Sequence, residues 1–106
     1  MAWLYLIVAG VFEIGFALGL KFSEGFTRLW PTLGMAASGA VSFYLLSVAM
    51  KTLPVGTAYA VWTGIGAVGT VLLGILLFRE PVTAARLISI SLILAGIAGL
   101  RLTSGA

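Results

Sequence analysis

The sequence contains no cysteine and no histidine. The first absence removes disulfides, thiolate nucleophiles and sulfur ligands. The second removes imidazole as a base or a metal ligand. Zinc sites and haem ligation by these residues are therefore excluded. Charge is also scarce: 8% of the residues are charged, whereas soluble domains carry about 25%. There are three acids and six bases, for a net charge of +3, and the bases are scattered singly. Nucleic-acid binding needs a clustered basic patch, and none is present. No phosphate-cradling glycine loop and no serine paired with a histidine base occurs, so the chain is not expected to be an enzyme.

The remainder is apolar. Hydrophobic residues make up 61% of the 106 residues, and the mean hydropathy is +1.20. Soluble domains are about 45–50% apolar, so this chain belongs in a bilayer. Residues 1–106 read as one domain with no soluble appendage. Four apolar runs, about 2–20, 32–50, 55–78 and 84–102, each approach the roughly 20 residues that cross a bilayer as a helix. None alternates apolar with polar residues, as barrel strands do. The fold expected is an all-α membrane protein with four transmembrane helices. The connections "KFSEGFTRLWP", "KTLP" and "REPVTAAR" carry the charges, and Pro31, Pro54 and Pro81 lie at or beside span boundaries, where a missing N–H costs little. The first run reads as a retained helix. A signal peptide would have a basic start and no acid at its middle.

That acid is Glu13, in "VAGVFEIGFALGLK". Glu24 and Glu80 fall in loops and read as solvated charges. Glu13 has no basic residue near it in any span. A charge at the bilayer centre costs at least about 2.5–3.5 kcal/mol on the insertion scale, and such residues usually face a cavity and take part in ion or proton movement. Desolvation disfavours the anion of a membrane carboxyl. Such a group holds a proton or a cation, and each expels the other, which is the physical basis of antiport. Ala9, Gly10, Phe16 and Ala17 share the Glu13 face of a helix. They would form a small-residue recess with one aromatic wall, although small residues also serve close helix packing. Gly15 and Gly19 lie on another face and read as packing.

In the third run, Tyr59 and Trp62 are three residues apart, so one helix face carries both. Ring faces attract cations, and the Tyr O–H and Trp N–H can hold a carboxylate. Gly64, Gly66 and Gly69 predict a bend or hinge. Ser38 and Ser42 share a face of the second run, with Ser42 a candidate donor to the site. Its competing role is a bond back to its own helix. A single chain offers one carboxylate and four helices, too little to enclose a two-sided pathway, and it has no room for the inverted repeat that many transporters use. A second copy inserted upside down would supply the repeat. The charge bias is weak enough for this. Lys21, Arg28, Arg79 and Arg86 lie on one side, and Lys51 and Arg101 on the other.

The residues now suffice for a comparison. The chain resembles the small multidrug resistance family over its whole length. The resemblance is carried by the four spans, Glu13, "KFSEGFTRLWPT" and "LPVGTAYAVWTGIGAVGTVLLGILLFREP". Trp62-Thr63-Gly64-Ile65-Gly66 is similar to the guanidinium-exporter branch. The resemblance implies an antiparallel, dual-topology homodimer in the bacterial inner membrane, exchanging protons for a small organic cation without cofactor or metal. It implies that Glu13 binds substrate and proton, that Gly10, Phe16, Ser42, Tyr59, Trp62 and Thr63 line the site, and that the fourth span carries much of the dimer contact, with Leu92 and Gly96 expected there. Phe16 departs from the pattern, since exporters of that branch usually carry Trp at this position. The ring remains but its N–H donor is lost, and the first loop is closer to the multidrug branch.

The expected function is proton-coupled export of guanidinium or substituted guanidinium. The alternative is a broad exporter of quaternary ammonium and similar cations. The rival from another class is a passive channel or a structural membrane subunit.

Overall fold

Four helices, α1 (Ala2–Phe22), α2 (Leu29–Ala49), α3 (Val55–Phe78) and α4 (Ala84–Ser104), make up the computed structural model, which describes residues 1–104. At about 1.5 Å per residue, helices of 21 to 24 residues span about 32–36 Å, enough for a hydrocarbon core of about 30 Å. All four are long and apolar enough to cross a membrane.

The largest departure from the sequence reading is the start of α2, at Leu29 rather than near residue 32. Pro31 is the third residue of the helix. In the first turn the N–H groups have no partner within the helix, so proline removes nothing that is used there. α1 continues through Lys21 and Phe22 before Ser23 closes it. The fully buried Ser23 Oγ donates to the Leu20 carbonyl (2.8 Å) and accepts the Phe26 N–H (3.2 Å). Glu24, Gly25 and Phe26 all have positive φ (49°, 73° and 68°), which turns the chain back into α2. α3 ends on a left-handed residue, Arg79, with φ 53°.

The molecule is a slab, 43 × 35 × 17 Å. α1 packs against both α2 and α3, whereas the backbone of α4 approaches α3 alone. Lipid tails are as apolar as leucine, so helix association in a membrane rests on close van der Waals packing and interhelical hydrogen bonds. Small residues permit both. Gly15 and Gly19 lie against Ser38 and Met35 of α2, where a Cβ on Gly19 would come within 3.0 Å of the Met35 Cα. This matches their reading as a packing face. The best-buried cluster is Leu6, Ala9, Leu46, Ala49, Leu53, Ala58, Val61 and Trp62. It gathers the start of α1, the end of α2 and the start of α3, so one end of the slab is tighter than the other.

α4 seats Ile93 and Ile97 on Gly64 of α3. Its ends are held by long side chains. Arg86 forms a 2.8 Å ion pair with Glu80, and the Arg101 guanidinium lies 4.7 Å above the Trp3 ring. Glu80, expected as a solvated charge, is exposed in its connection and pairs there with the base six residues further on. Leu92 and Gly96 lie four residues apart on α4. Leu92 is 67% exposed, and no atom stands within 4 Å of a Cβ built on Gly96.

Candidate functional site

The path of α1 beside α3 brings Glu13 over Gly66. The approach is close enough that a Cβ on Gly66 would sit 2.5 Å from the Glu13 Cγ. Beside this crossing is an open recess of about 470 Å³, lined from α1 by Glu13 and Ala17 and from α3 by residues running from Tyr59 to Val71. Glu13 is only partly buried, and its carboxylate accepts no hydrogen bond or ion pair among the described residues. It is the one acidic residue within a span, since Glu24 and Glu80 lie in the connections.

The aromatic wall of the recess is Tyr59 and Trp62, both of α3. Trp62 of α3 stacks against Tyr59 of its own helix, with centroids 5.5 Å apart, and against Phe43 of α2, at 5.3 Å. Its indole N–H donates to the Ser42 Oγ (2.8 Å), and Ser42 in turn donates to the Ala9 carbonyl of α1 (2.7 Å). This two-bond relay joins α3, α2 and α1. It leaves Trp62 only 5% exposed, with its ring orientation fixed. Interhelical hydrogen bonds in membranes average about 0.6 kcal/mol and reach about 1.7, so the relay contributes modestly to stability and strongly to orientation.

Of the residues expected at the site, Glu13, Tyr59, Trp62 and Thr63 meet at the recess, and Gly66, expected at a hinge, lines it as well. Gly10, Phe16 and Ser42 stand outside its lining. Gly10 is buried beneath Ile65, and the Phe16 ring lies over Gly39 of α2. Ser42 is behind Trp62, and within one chain its hydroxyl and the indole N–H are engaged with each other and with Ala9, not with Glu13. Gly64, Gly66 and Gly69, expected at a hinge, each receive a side chain from a neighbouring helix: Ile97, Glu13 and Ile14 in turn. α3 runs as one helix through all of them. Leu92 and Gly96 are on α4, away from the recess.

Ala67, Thr70 and Val71 also line it and were not anticipated. Their signal was available. Tyr59, Trp62, Thr63, Gly66 and Thr70 continue one stripe at three- and four-residue spacing. The arrangement has an unpaired carboxylate, two ring faces, hydroxyls and an apolar wall. It suits a small organic cation with apolar substituents. Among the described residues no group of His, Cys, Asp and Glu could hold a metal.

The model of the Small Multidrug Resistance protein family matches residues 1–93. A guanidinium exporter of Yersinia pseudotuberculosis serotype I (strain IP32953) is 57% identical over 104 residues, covering 98% of this chain and all of that protein. Guanidinium exporters of Citrobacter freundii and of Salmonella typhimurium (strain LT2) are 56% and 54% identical over the same length, with 98% of this chain and 99% of each relative covered.

Proposed function

The chain belongs to the small multidrug resistance family, and from that premise we propose that it exports guanidinium or substituted guanidinium cations in exchange for protons. The observation that carries this reading is Glu13. It is an unpartnered carboxylate at mid-span, open to a recess with ring faces on one side and hydroxyls along it. A planar cation gains charge-assisted bonds from the carboxylate and attraction from the rings. A proton competes for the same oxygens. The names of the relatives support the substrate class.

The working unit is proposed to be an antiparallel homodimer in the bacterial inner membrane, with both Glu13 side chains in one central site. Like charges sharing a pocket raise one another's affinity for protons, which couples cation and proton more tightly. α4, whose backbone approaches α3 alone, offers Leu92 and Gly96 to a second copy. Gly10, Phe16 and Ser42 would act through the packing of α1 against its neighbours. Gly64, Gly66 and Gly69 would let α3 change its seat on α1 and α4 as the site turns from one side to the other. No cofactor is required.

A broader multidrug range is the second reading. It is favoured by the apolar wall of Ala17, Ala67 and Val71. The test is cation-induced current on membranes carrying the purified protein, with and without an imposed proton gradient, comparing guanidinium with a tetraalkylammonium ion. Guanidinium current that responds to the proton gradient supports the exporter. Equal or larger currents with tetraalkylammonium favour the multidrug reading. Current indifferent to the proton gradient indicates a channel.

A further inference from the structure

Serine and threonine in membrane helices commonly donate to a carbonyl of the preceding turn. Thr32, Ser47, Ser89, Ser91 and Thr103 all do so, at 2.6–2.9 Å. Thr70 makes no such bond among the described residues, and neither does Thr63, seven residues earlier. Both line the recess that holds Glu13. Glu13 crosses α3 at Gly66, so along the helix Thr63 lies one turn before the carboxylate and Thr70 one turn after it. Their hydroxyls are not engaged with the backbone, and the remaining lining beside Thr70 is Ala67, Val71 and Ala17.

We propose that Thr70 contacts the substrate and sets the choice between unsubstituted guanidinium and its alkyl derivatives. This rests on the exporter reading above. Guanidinium carries N–H donors on all three edges of its plane, and the two Glu13 carboxylates of the proposed dimer engage at most two of them. The other donors lose water as the cation enters the recess, and a donor facing alanine and valine is left unsatisfied, which is costly. The Thr70 hydroxyl has two acceptor lone pairs and supplies the missing partner. An alkyl guanidinium places carbon against Ala67 and Val71 and needs that oxygen less. A site that hydrogen-bonds its ligand discriminates by this difference.

Thr70→Val keeps the branched shape and removes the oxygen. In transport by the purified protein in vesicles, the KM for guanidinium rises about tenfold, the loss of one hydrogen bond to a cation. The KM for butylguanidinium stays level or falls. Thr70→Ser, which keeps the hydroxyl, restores the wild-type ratio of the two. If Thr70→Val transports too slowly to follow, titrating the fluorescence of Trp62 with each cation, in a background where Trp3 and Trp30 are replaced by Phe, gives the corresponding ratio of Kd values. An unchanged ratio in Thr70→Val, beside a wild-type protein that moves guanidinium, overturns the role of Thr70 alone. A Thr70→Ser ratio shifted as far as that of Thr70→Val also overturns it, because the methyl group would then be what matters. A wild-type protein that moves no guanidinium-class cation overturns the exporter reading and this inference with it.

Discussion

Glu13 lies across Gly66 so closely that a methyl group there would stand 2.5 Å from the Glu13 Cγ and 3.2 Å from its Cβ. Carbon atoms pack at about 3.5–4.0 Å. The carboxylate therefore holds its place beside the recess only while position 66 has no side chain. Gly66→Ala is expected to displace Glu13 and reduce guanidinium transport tenfold or more, consistent with the roughly 1–3 kcal/mol typical of overpacking. Gly56→Ala is the control, since nothing stands within 4 Å of a Cβ there. Transport currents of the two variants, normalised to the amount of helical protein, check this.

The relay from Trp62 through Ser42 to Ala9 makes a second expectation. Ser42→Ala leaves the buried Trp62 N–H and the Ala9 carbonyl without a side-chain partner. An unsatisfied buried group costs about 1–3 kcal/mol, reduced in membranes towards about 1. Unfolding in detergent mixtures should show a loss of that size. Trp62→Phe together with Ser42→Ala should cost less than the sum of the two single changes. Additive losses would mean that the bond contributes nothing.

Much of this was legible in the sequence, for identifiable reasons. Run length and apolarity fix four spans, and the lone mid-span acid marks the candidate site. Helical spacing places Tyr59, Trp62, Thr63 and Gly66 on one face. Spacing gives a face, however, not the neighbour that covers it. Phe16 and Ala17 are both within a turn of Glu13, yet Ala17 reaches the recess on α3 while Phe16 lies over Gly39 of α2. Glycine carries the same ambiguity. A hinge and a dimple that seats a side chain need the same missing Cβ, and only the positions of Ile97, Glu13 and Ile14 reveal the dimples. Ser42 was read as a donor to the site. Its partner Ala9 lies 33 residues away, a relation no local pattern encodes.

The exposed side of α4 separates lipid from protein as its covering. Gly96 has open space around it within the chain, so Gly96→Leu leaves the protomer's own packing intact. If α4 meets a second copy there, the added side chain obstructs the approach, and the dimer Kd, read from chemical cross-linking over a series of protein concentrations, should rise about tenfold, the effect of about 1.4 kcal/mol. An unchanged dimer Kd would place lipid, not a second chain, against that face.

Topology can be read with a single thiol, because the chain has no cysteine to give background. Thr52 is exposed in the connection between α2 and α3. In an antiparallel dimer, Thr52→Cys is expected to react with a membrane-impermeant maleimide in part from one side and in part from the other, in near-equal shares. Reaction from one side only would remove the antiparallel arrangement.

The most direct measurement is proton-driven guanidinium transport by Glu13→Gln, in vesicles with an imposed pH gradient. The substitution keeps the size of the side chain and its hydrogen-bonding capacity, and removes the charge for which cation and proton compete. The account predicts that Glu13→Gln inserts and dimerises as the wild type does, and that its proton-driven transport falls to the level of protein-free vesicles. Transport at the wild-type rate in that variant would contradict the assignment of Glu13, and with it the proposed mechanism.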